Sequence, residues 1–453
     1  MKDLDQVVIR FSGDSGDGMQ LTGTQFSNTS AQMGNDLATF PDFPAEIRAP
    51  QGTVAGVSGF QIHFGAVEIS TPGDEPDVLV AMNPAALKAN ITDVKKGGTI
   101  IINEDAFNDL GYKKAGYAEE PITKLEKEYR VINAKITSQT KEALAEVELD
   151  SKSKARCKNF YALGMTYFMF SRDLKPTLEW IQIKFGHNKI LSEANAMALK
   201  AGYHFADTIE ASGESYKINP ATIEKGIYRQ ISGNTALAWG FMYAAENSGL
   251  DLFLGSYPIT PASDILHELA AHKNFNIKTF QAEDEIAGVV SAIGAAFAGD
   301  LAVTATSGPG VALKSEALGL AITTELPLVL VNVQRGGPST GLPTKTEQSD
   351  LNQAMFGRNG EAPIVVLAPA TPTDCFNIAY ESCRIALKYM IPVILLSDGY
   401  IANGSEPWKI PDVDSMQEIE THITTKKNGF APFNHDNQNL ARPWGLPGTP
   451  GLE

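Results

Sequence analysis

The sequence predicts an α/β protein built from two doubly wound parallel-sheet domains. Apolar runs of strand length recur along the chain, among them QVVIRFSG at 6–13, DVLVAM at 77–82 and KKGGTIIIN at 95–103. Stretches of helical length separate most of them, and this alternation is the pattern of strands covered by helices on both faces. The pattern lapses into a polar segment with Gly and Pro at 207–226 (DTIEASGESYKINPATIEKG), which divides the chain into two blocks. At 453 residues with 43% hydrophobic side chains, the chain can bury a core in each.

In the first block the strand at 6–13 runs into a Gly-rich turn, SGDSGDGM at 12–19, and a helix from Leu21 to Met33. Strand 77–82 leads into NPAALKANI at 83–91, where Pro84 suits a first helical turn. Strand 95–103 follows a Gly-Gly break, and 155–206 reads as mainly helical. The domains are therefore placed at 1–205 and 228–410, with a linker at 206–227. The second opens on GNTALAWGFMYAAENSG, with Asn234 as a helix N-cap and Gly249 closing the helix. Its strands are expected at 251–256, 277–281, 301–305, 327–333, 363–367 and 392–396. Residues 411–453 are rich in Pro and Gly and read as an extended tail or the start of a truncated C-terminal domain.

Charge and composition exclude several functions. A net charge of −16 disfavours nucleic acid and anionic membrane surfaces, whose binding needs clustered Lys and Arg. The cysteines, Cys157, Cys375 and Cys383, form no CxxC pair, so neither a disulfide scaffold nor a four-cysteine cluster is expected. The opening MKDLDQVVIRF lacks the regions of a signal peptide, and no apolar run approaches the roughly 18 residues of a spanning helix. The expectation is a soluble cytoplasmic protein.

Two motifs invite chemistry and do not carry it. GDSGDGM at 13–19 has glycines spaced G-x-x-G-x-G, the reverse of a dinucleotide fingerprint, and Asp14 and Asp17 would repel a pyrophosphate. Too few residues precede it for a serine-protease order, and no Asn-Asn pair follows to complete a magnesium–diphosphate motif. A tight strand-to-helix turn accounts for it. In HELAAH at 267–272, five helical steps set His272 about 140° from His267, so the pair cannot share a metal.

The chemistry concentrates in the second domain. SYPITPASD (256–264), QAEDEIAG (281–288), TSGPG (306–310) and QRGGPSTGLPTKTEQSD (334–350) each follow an expected strand. In open α/β sheets the carboxyl ends of the strands are where ligands bind. These segments, in this order, resemble the thiamine diphosphate pyrimidine-binding domain of 2-oxoacid:ferredoxin oxidoreductases. FSGDSGDGM resembles that family's gamma domain, fused ahead of the alpha domain.

The resemblance implies oxidative decarboxylation of a 2-oxoacid with coenzyme A, giving acyl-CoA, carbon dioxide and reduced ferredoxin. It points to 2-oxoglutarate and succinyl-CoA, with pyruvate or branched-chain 2-oxoacids as alternatives. It implies an acid against the aminopyrimidine at Glu283, with Asp284 and Glu285 as first-turn helix acids. Tyr257 and Pro258 would shape the cofactor pocket. Arg335, in a rigid Gly-Gly-Pro loop, would clamp the substrate carboxylate beside Thr260 and Thr344. Glu283, Arg335 and Thr260 are thus the expected catalytic group, and no metal ligand is expected on this chain. Thiamine diphosphate would be shared with a beta-type partner that carries magnesium and a [4Fe-4S] cluster, in a heterodimer or heterotetramer served by ferredoxin. A scaffolding subunit and a non-redox thiamine enzyme are the competing readings.

Overall fold

The computed structural model describes residues 2–45, 49–208 and 215–452, so 209–214 of the expected linker lie outside the described residues. The chain forms two compact units, Met1–Gly226 and Ile227–Glu453.

The first unit is built on a six-stranded sheet: β1 (Gln6–Asp14), β2 (Asp36–Asp42), β3 (Val57–Gly65), β4 (Val78–Ala81), β5 (Thr99–Asn103) and β6 (Arg130–Ala134), in the order β2-β3-β1-β4-β5-β6. β1, β4, β5 and β6 pair in parallel, whereas β3 runs antiparallel to both β1 and β2. β2 and β3 are absent from the sequence reading. β2 ends on a Phe-Pro-Asp turn sequence, and β3 (VSGFQIHFG) is interrupted by glycine and polar residues, although eight of its nine residues are buried. Phe26 of helix α1 (Met19–Gln32) shows what recruits β3. Its ring lies 5.3 Å from Phe64 and 6.0 Å from Phe170, edge to face. α1 starts at Met19, two residues before the expected Leu21, and its N-cap Gly18, at φ 76°, ends the Gly-rich turn. Helix α2 (Pro84–Asn90) begins on Pro84 as expected, capped by the Asn83 side chain.

Two helices of this unit, α3 (Lys158–Met169) and α4 (Lys189–Thr208), touch backbone to backbone. A Cβ on Gly202 would lie 1.9 Å from the Tyr161 carbonyl oxygen, and one on Gly164 would lie 2.1 Å from that of Leu199. Gly202→Ala is therefore expected to force the helices apart, costing about 1–3 kcal/mol or more. Thermal unfolding of the full chain should show a transition lowered by several degrees.

The second unit carries β7 (Leu252–Ser256), β8 (Ile277–Gln281), β9 (Leu301–Thr306), β10 (Leu328–Gln334), β11 (Val365–Leu367) and β12 (Pro392–Asp398). All pair in parallel, in the order β8-β7-β9-β10-β12-β11. β9, β10 and β12 are buried along their whole length, which is why they read as unbroken apolar runs. One face is covered by helices α5 (Gly233–Ser248), α6 (Ser263–Ala271) and α10 (Asp374–Tyr389), and the other by α7 (Glu285–Ala298), α8 (Gly308–Leu313) and α9 (Ser315–Thr323). α5 closes on Gly249 at φ 69° as expected, but its N-cap is Ser232. Asn234 lies inside the first turn, where its amide donates to the Pro261 carbonyl at 2.9 Å. A short antiparallel ribbon, Tyr228–Ser232 with Ser405–Lys409, also escaped the sequence reading.

Residues 411–452 form little regular structure beyond a 3₁₀ turn at Val413–Ser415. They pack on this unit, placing Ile419, Ala441 and Trp444 in the core beside α5 and α10. Tyr243 donates to the Val413 carbonyl at 2.7 Å, and Asn247 accepts from the Ile419 amide at 2.7 Å. Among the described residues, no helix is long and apolar enough to cross a membrane.

Candidate active site

The strand order of the second sheet creates a switch point. From β7 the chain passes outward to β8 and then returns to β9 on the other side of β7. α6, after β7, packs on one face and α7, after β8, on the other, so the loops leaving β7 and β9 part there and open a crevice. The loops 256–261, 282–285, 307–310 and 335–350 all leave carboxyl ends of this sheet. Past the last ladder pair of β7 and β9, Ser256 Oγ donates to the Ala305 carbonyl (2.7 Å) and accepts from the Ala305 amide (2.8 Å), closing the floor between the strands.

Arg335 organises the site. It directly follows β10 and is 94% buried, with 6% exposed. Its Nη1 donates to the Thr260 carbonyl at 2.7 Å and its Nη2 to the Thr340 carbonyl at 2.9 Å, so one guanidinium joins two of the loops. Its Nε is buried without a hydrogen-bond partner. Burial pushes its pKa down, and the neighbouring Glu285 carboxylate pushes it back up. The loop after it folds back on itself: Gly336 donates to Lys345, Leu342 to Gly336, and Gly337 to the Glu347 carboxylate at 2.7 Å. A Cβ on Gly341, at φ 52°, would stand 1.9 Å from the Gly336 carbonyl oxygen, so this turn demands glycine. Thr344 lies half-buried in the returning limb, next to Lys345.

The acids separate by environment. Glu283 is exposed on the turn between β8 and α7. Asp284 is the N-cap of α7 and accepts from the Ala287 amide at 2.7 Å. Glu285, the first residue of the helix, is the buried one, with 9% exposed. It is the carboxylate that acts electrostatically on Arg335. The expected acid at Glu283 thus sits at the rim, two residues from the carboxyl group that lies inside. The helical phase holds the signal for it: Glu285, Val289, Ala292, Ile293 and Ala296 share the buried face of α7.

The first turn of α8 completes the wall. A Cβ on Gly310 would fall 1.8 Å from Thr306 Oγ1 and 2.9 Å from Glu285 Cγ. Gly310→Ala is therefore expected to displace the Glu285 side chain. Displacements near 1 Å cost about a hundredfold in rate, so turnover by the assembled enzyme should fall by that order.

Thr260 is exposed and joins the group through its carbonyl; Tyr257 is 39% exposed and Pro258 is half-buried on the same loop. The structure thus brings Arg335, Thr260 and Glu285 together. The donor set fits the pyrimidine end of thiamine diphosphate: a buried carboxyl group, a buried guanidinium with an unpartnered Nε, and an aromatic–proline loop. Ser307 Oγ and Asn332 Oδ1, at the ends of β9 and within β10, are likewise buried without partners. Elsewhere, Cys157, Cys375 and Cys383 are buried free thiols, His267 faces Asp264 and His272 faces Glu268. Among the described residues, no group of three or more His, Cys, Asp or Glu is placed to hold a metal.

Both units resemble known proteins. Residues 244–446 match the family model described as pyruvate flavodoxin/ferredoxin oxidoreductase, thiamine diP-bdg, and residues 8–205 match that of pyruvate ferredoxin/flavodoxin oxidoreductase. The chain is 56% identical over 451 residues to the 2-oxoglutarate oxidoreductase subunit KorA of Mycobacterium tuberculosis, covering 99% of this chain and 69% of that one. It is 30% identical over 441 residues to the 2-oxoacid:ferredoxin oxidoreductase subunit alpha of a Sulfolobus species, covering 89% of this chain and 66% of that one. Among solved structures, it is similar to the 2-oxoglutarate:ferredoxin oxidoreductase from Magnetococcus marinus with 2-oxoglutarate, coenzyme A and succinyl-CoA bound. That match has a TM-score of 0.83 at 30% identity and covers 99% of this chain and 73% of that one. The chain thus spans about two-thirds to three-quarters of these relatives' length.

Proposed function

The chain belongs to the 2-oxoacid:ferredoxin oxidoreductase family, and from that premise we propose that it supplies the pyrimidine-side half of a shared thiamine diphosphate site. The reaction is oxidative decarboxylation of 2-oxoglutarate with coenzyme A to succinyl-CoA, with ferredoxin taking the electrons. A beta-type partner brings the magnesium–diphosphate half and the [4Fe-4S] cluster, in a heterodimer or heterotetramer in the cytoplasm.

The observation that carries the proposal is a buried Glu285 carboxyl group close enough to act electrostatically on a buried Arg335, at the carboxyl ends of a parallel sheet. When bound, thiamine diphosphate supplies the thiazolium that serves as electron sink for decarboxylation. Glu285 holds and returns the proton exchanged with the aminopyrimidine nitrogen, the role the sequence had placed at Glu283. Arg335 pairs with the substrate carboxylate while its other donors keep the Thr260 and Thr340 loops in place. Thr260 and Thr344 offer hydroxyls to the 2-oxoacid, and Tyr257 and Pro258 wall the cofactor from water.

A shared site makes cofactor binding depend on assembly. Calorimetric titration with thiamine diphosphate and magnesium is expected to give no saturable binding to this chain alone. Binding should appear when the beta-type partner is present. Equal affinity in the absence of the partner would contradict a shared site.

A further inference from the structure

Beneath Glu285 lies a cation that none of the site's expected chemistry uses. Lys314, between α8 and α9, is fully buried, with 0% exposed. Its Nζ donates to the main-chain carbonyl of Glu285 at 2.8 Å and to Thr304 Oγ1 of β9 at 3.1 Å. Val289, Val311, Ala317 and Leu318 belong to the apolar cluster on this side of the sheet. A buried ammonium costs stability that an apolar side chain of the same shape would not. Packing therefore gives no reason for a lysine here, and both of its hydrogen bonds serve the floor and the first turn that carry Glu285.

We infer that Lys314 is the positioning residue for Glu285: its ammonium anchors the peptide of the acid and supplies the buried positive charge against which the carboxyl group exchanges its proton. The charged groups acting on it are Glu285 and Asp284 at the start of α7, and Glu285 also acts on Arg335. Burial lowers its own pKa to about 8, with both acids pulling the other way, so the charge is lost just above neutral pH.

The inference rests on the assignment of the acid to Glu285, and its test separates the two. The full chain is co-expressed with its beta-type partner as wild type, Lys314→Met, Thr304→Val and Glu285→Gln. Three quantities are read: thermal unfolding, thiamine diphosphate affinity of the cofactor-stripped complex, and the pH profile of kcat for viologen reduction with 2-oxoglutarate. Lys314→Met is expected to be at least as stable as wild type, because an apolar chain replaces a buried charge. Its kcat should fall about tenfold or more at unchanged KM for the 2-oxoacid, and its cofactor affinity should weaken roughly tenfold. The basic limb of the wild-type profile, expected near pH 8, should be missing. Thr304→Val removes one acceptor from the ammonium and should move that limb to lower pH.

Wild-type kcat, affinity and profile in Lys314→Met, beside an inactive Glu285→Gln, would overturn the inference and leave the acid assignment standing. An active Glu285→Gln would overturn the assignment and the inference with it. Should Lys314→Met not fold, Thr304→Val decides: a limb moved to lower pH supports the role, and an unmoved one overturns it.

Discussion

Glu285→Gln is expected to abolish turnover of the assembled enzyme while leaving the chain folded. The carboxyl group is the one acid of its turn that the fold buries, on the face of α7 that also carries Val289 and Ala292. Glutamine keeps its volume and its capacity for hydrogen bonds but cannot hold or release a proton, so the loss isolates acid–base work from packing. Removing a positioned proton-transfer group costs about 10²–10⁴-fold in rate. Glu283→Gln supplies the contrast. That side chain is exposed on the preceding turn, and kcat should stay within about threefold of wild type, as for a surface position. Thermal unfolding of both variants should match wild type, and steady-state kinetics on matched complexes would check the pair. A dead Glu283→Gln with an active Glu285→Gln would return the acid to the rim.

Arg335→Lys should be the second large effect, and it should fall mainly on substrate binding. The guanidinium already spends Nη1 and Nη2 on the Thr260 and Thr340 carbonyls. A lysine ammonium lacks the planar fork needed to keep those contacts and also meet a carboxylate in two places. The charge stays, but losing a hydrogen bond to a charged group costs about 1.5–3 kcal/mol, so KM for the 2-oxoacid should rise by about one to two orders of magnitude. Because the loops lose an anchor, kcat should fall as well, though less. Substrate titration at fixed cofactor separates these parameters; an unchanged KM and kcat would remove Arg335 from the site.

The second unit was the more legible in sequence, for a physical reason. Strands buried on both faces, such as LVLVNVQ at 328–334, must be apolar throughout, and the loops at their carboxyl ends carry the polar, Gly- and Pro-rich residues of the site. Arg335 drew attention in the sequence because a charged residue in a Gly-Gly-Pro loop stands out against such strands. β2 and β3 of the first unit were missed because glycine and polar residues interrupt them, and their pairing is set by distant partners such as Phe26. We propose the acid at Glu285, two residues beyond the expected Glu283, because a strand-end position and a first-turn position look alike until the buried face of α7 is phased. Lys314 was passed over for a related reason: a lone lysine in an apolar helical stretch reads as a surface residue until the sheet and α7 close over it. Asn234 shows the same limit, since a plausible cap proved to be a tether to the Pro261 carbonyl.

The central claim is that this chain contributes Glu285 to a thiamine site completed by a beta-type partner. The most direct measurement is viologen reduction by the reconstituted complex, with coenzyme A and either 2-oxoglutarate, pyruvate or 2-oxoisovalerate, comparing wild type with Glu285→Gln. The account predicts reduction that requires thiamine diphosphate, is fastest with 2-oxoglutarate and is lost in the variant. Undiminished reduction by Glu285→Gln, or none with any acid from a cluster-loaded wild-type complex, would contradict it.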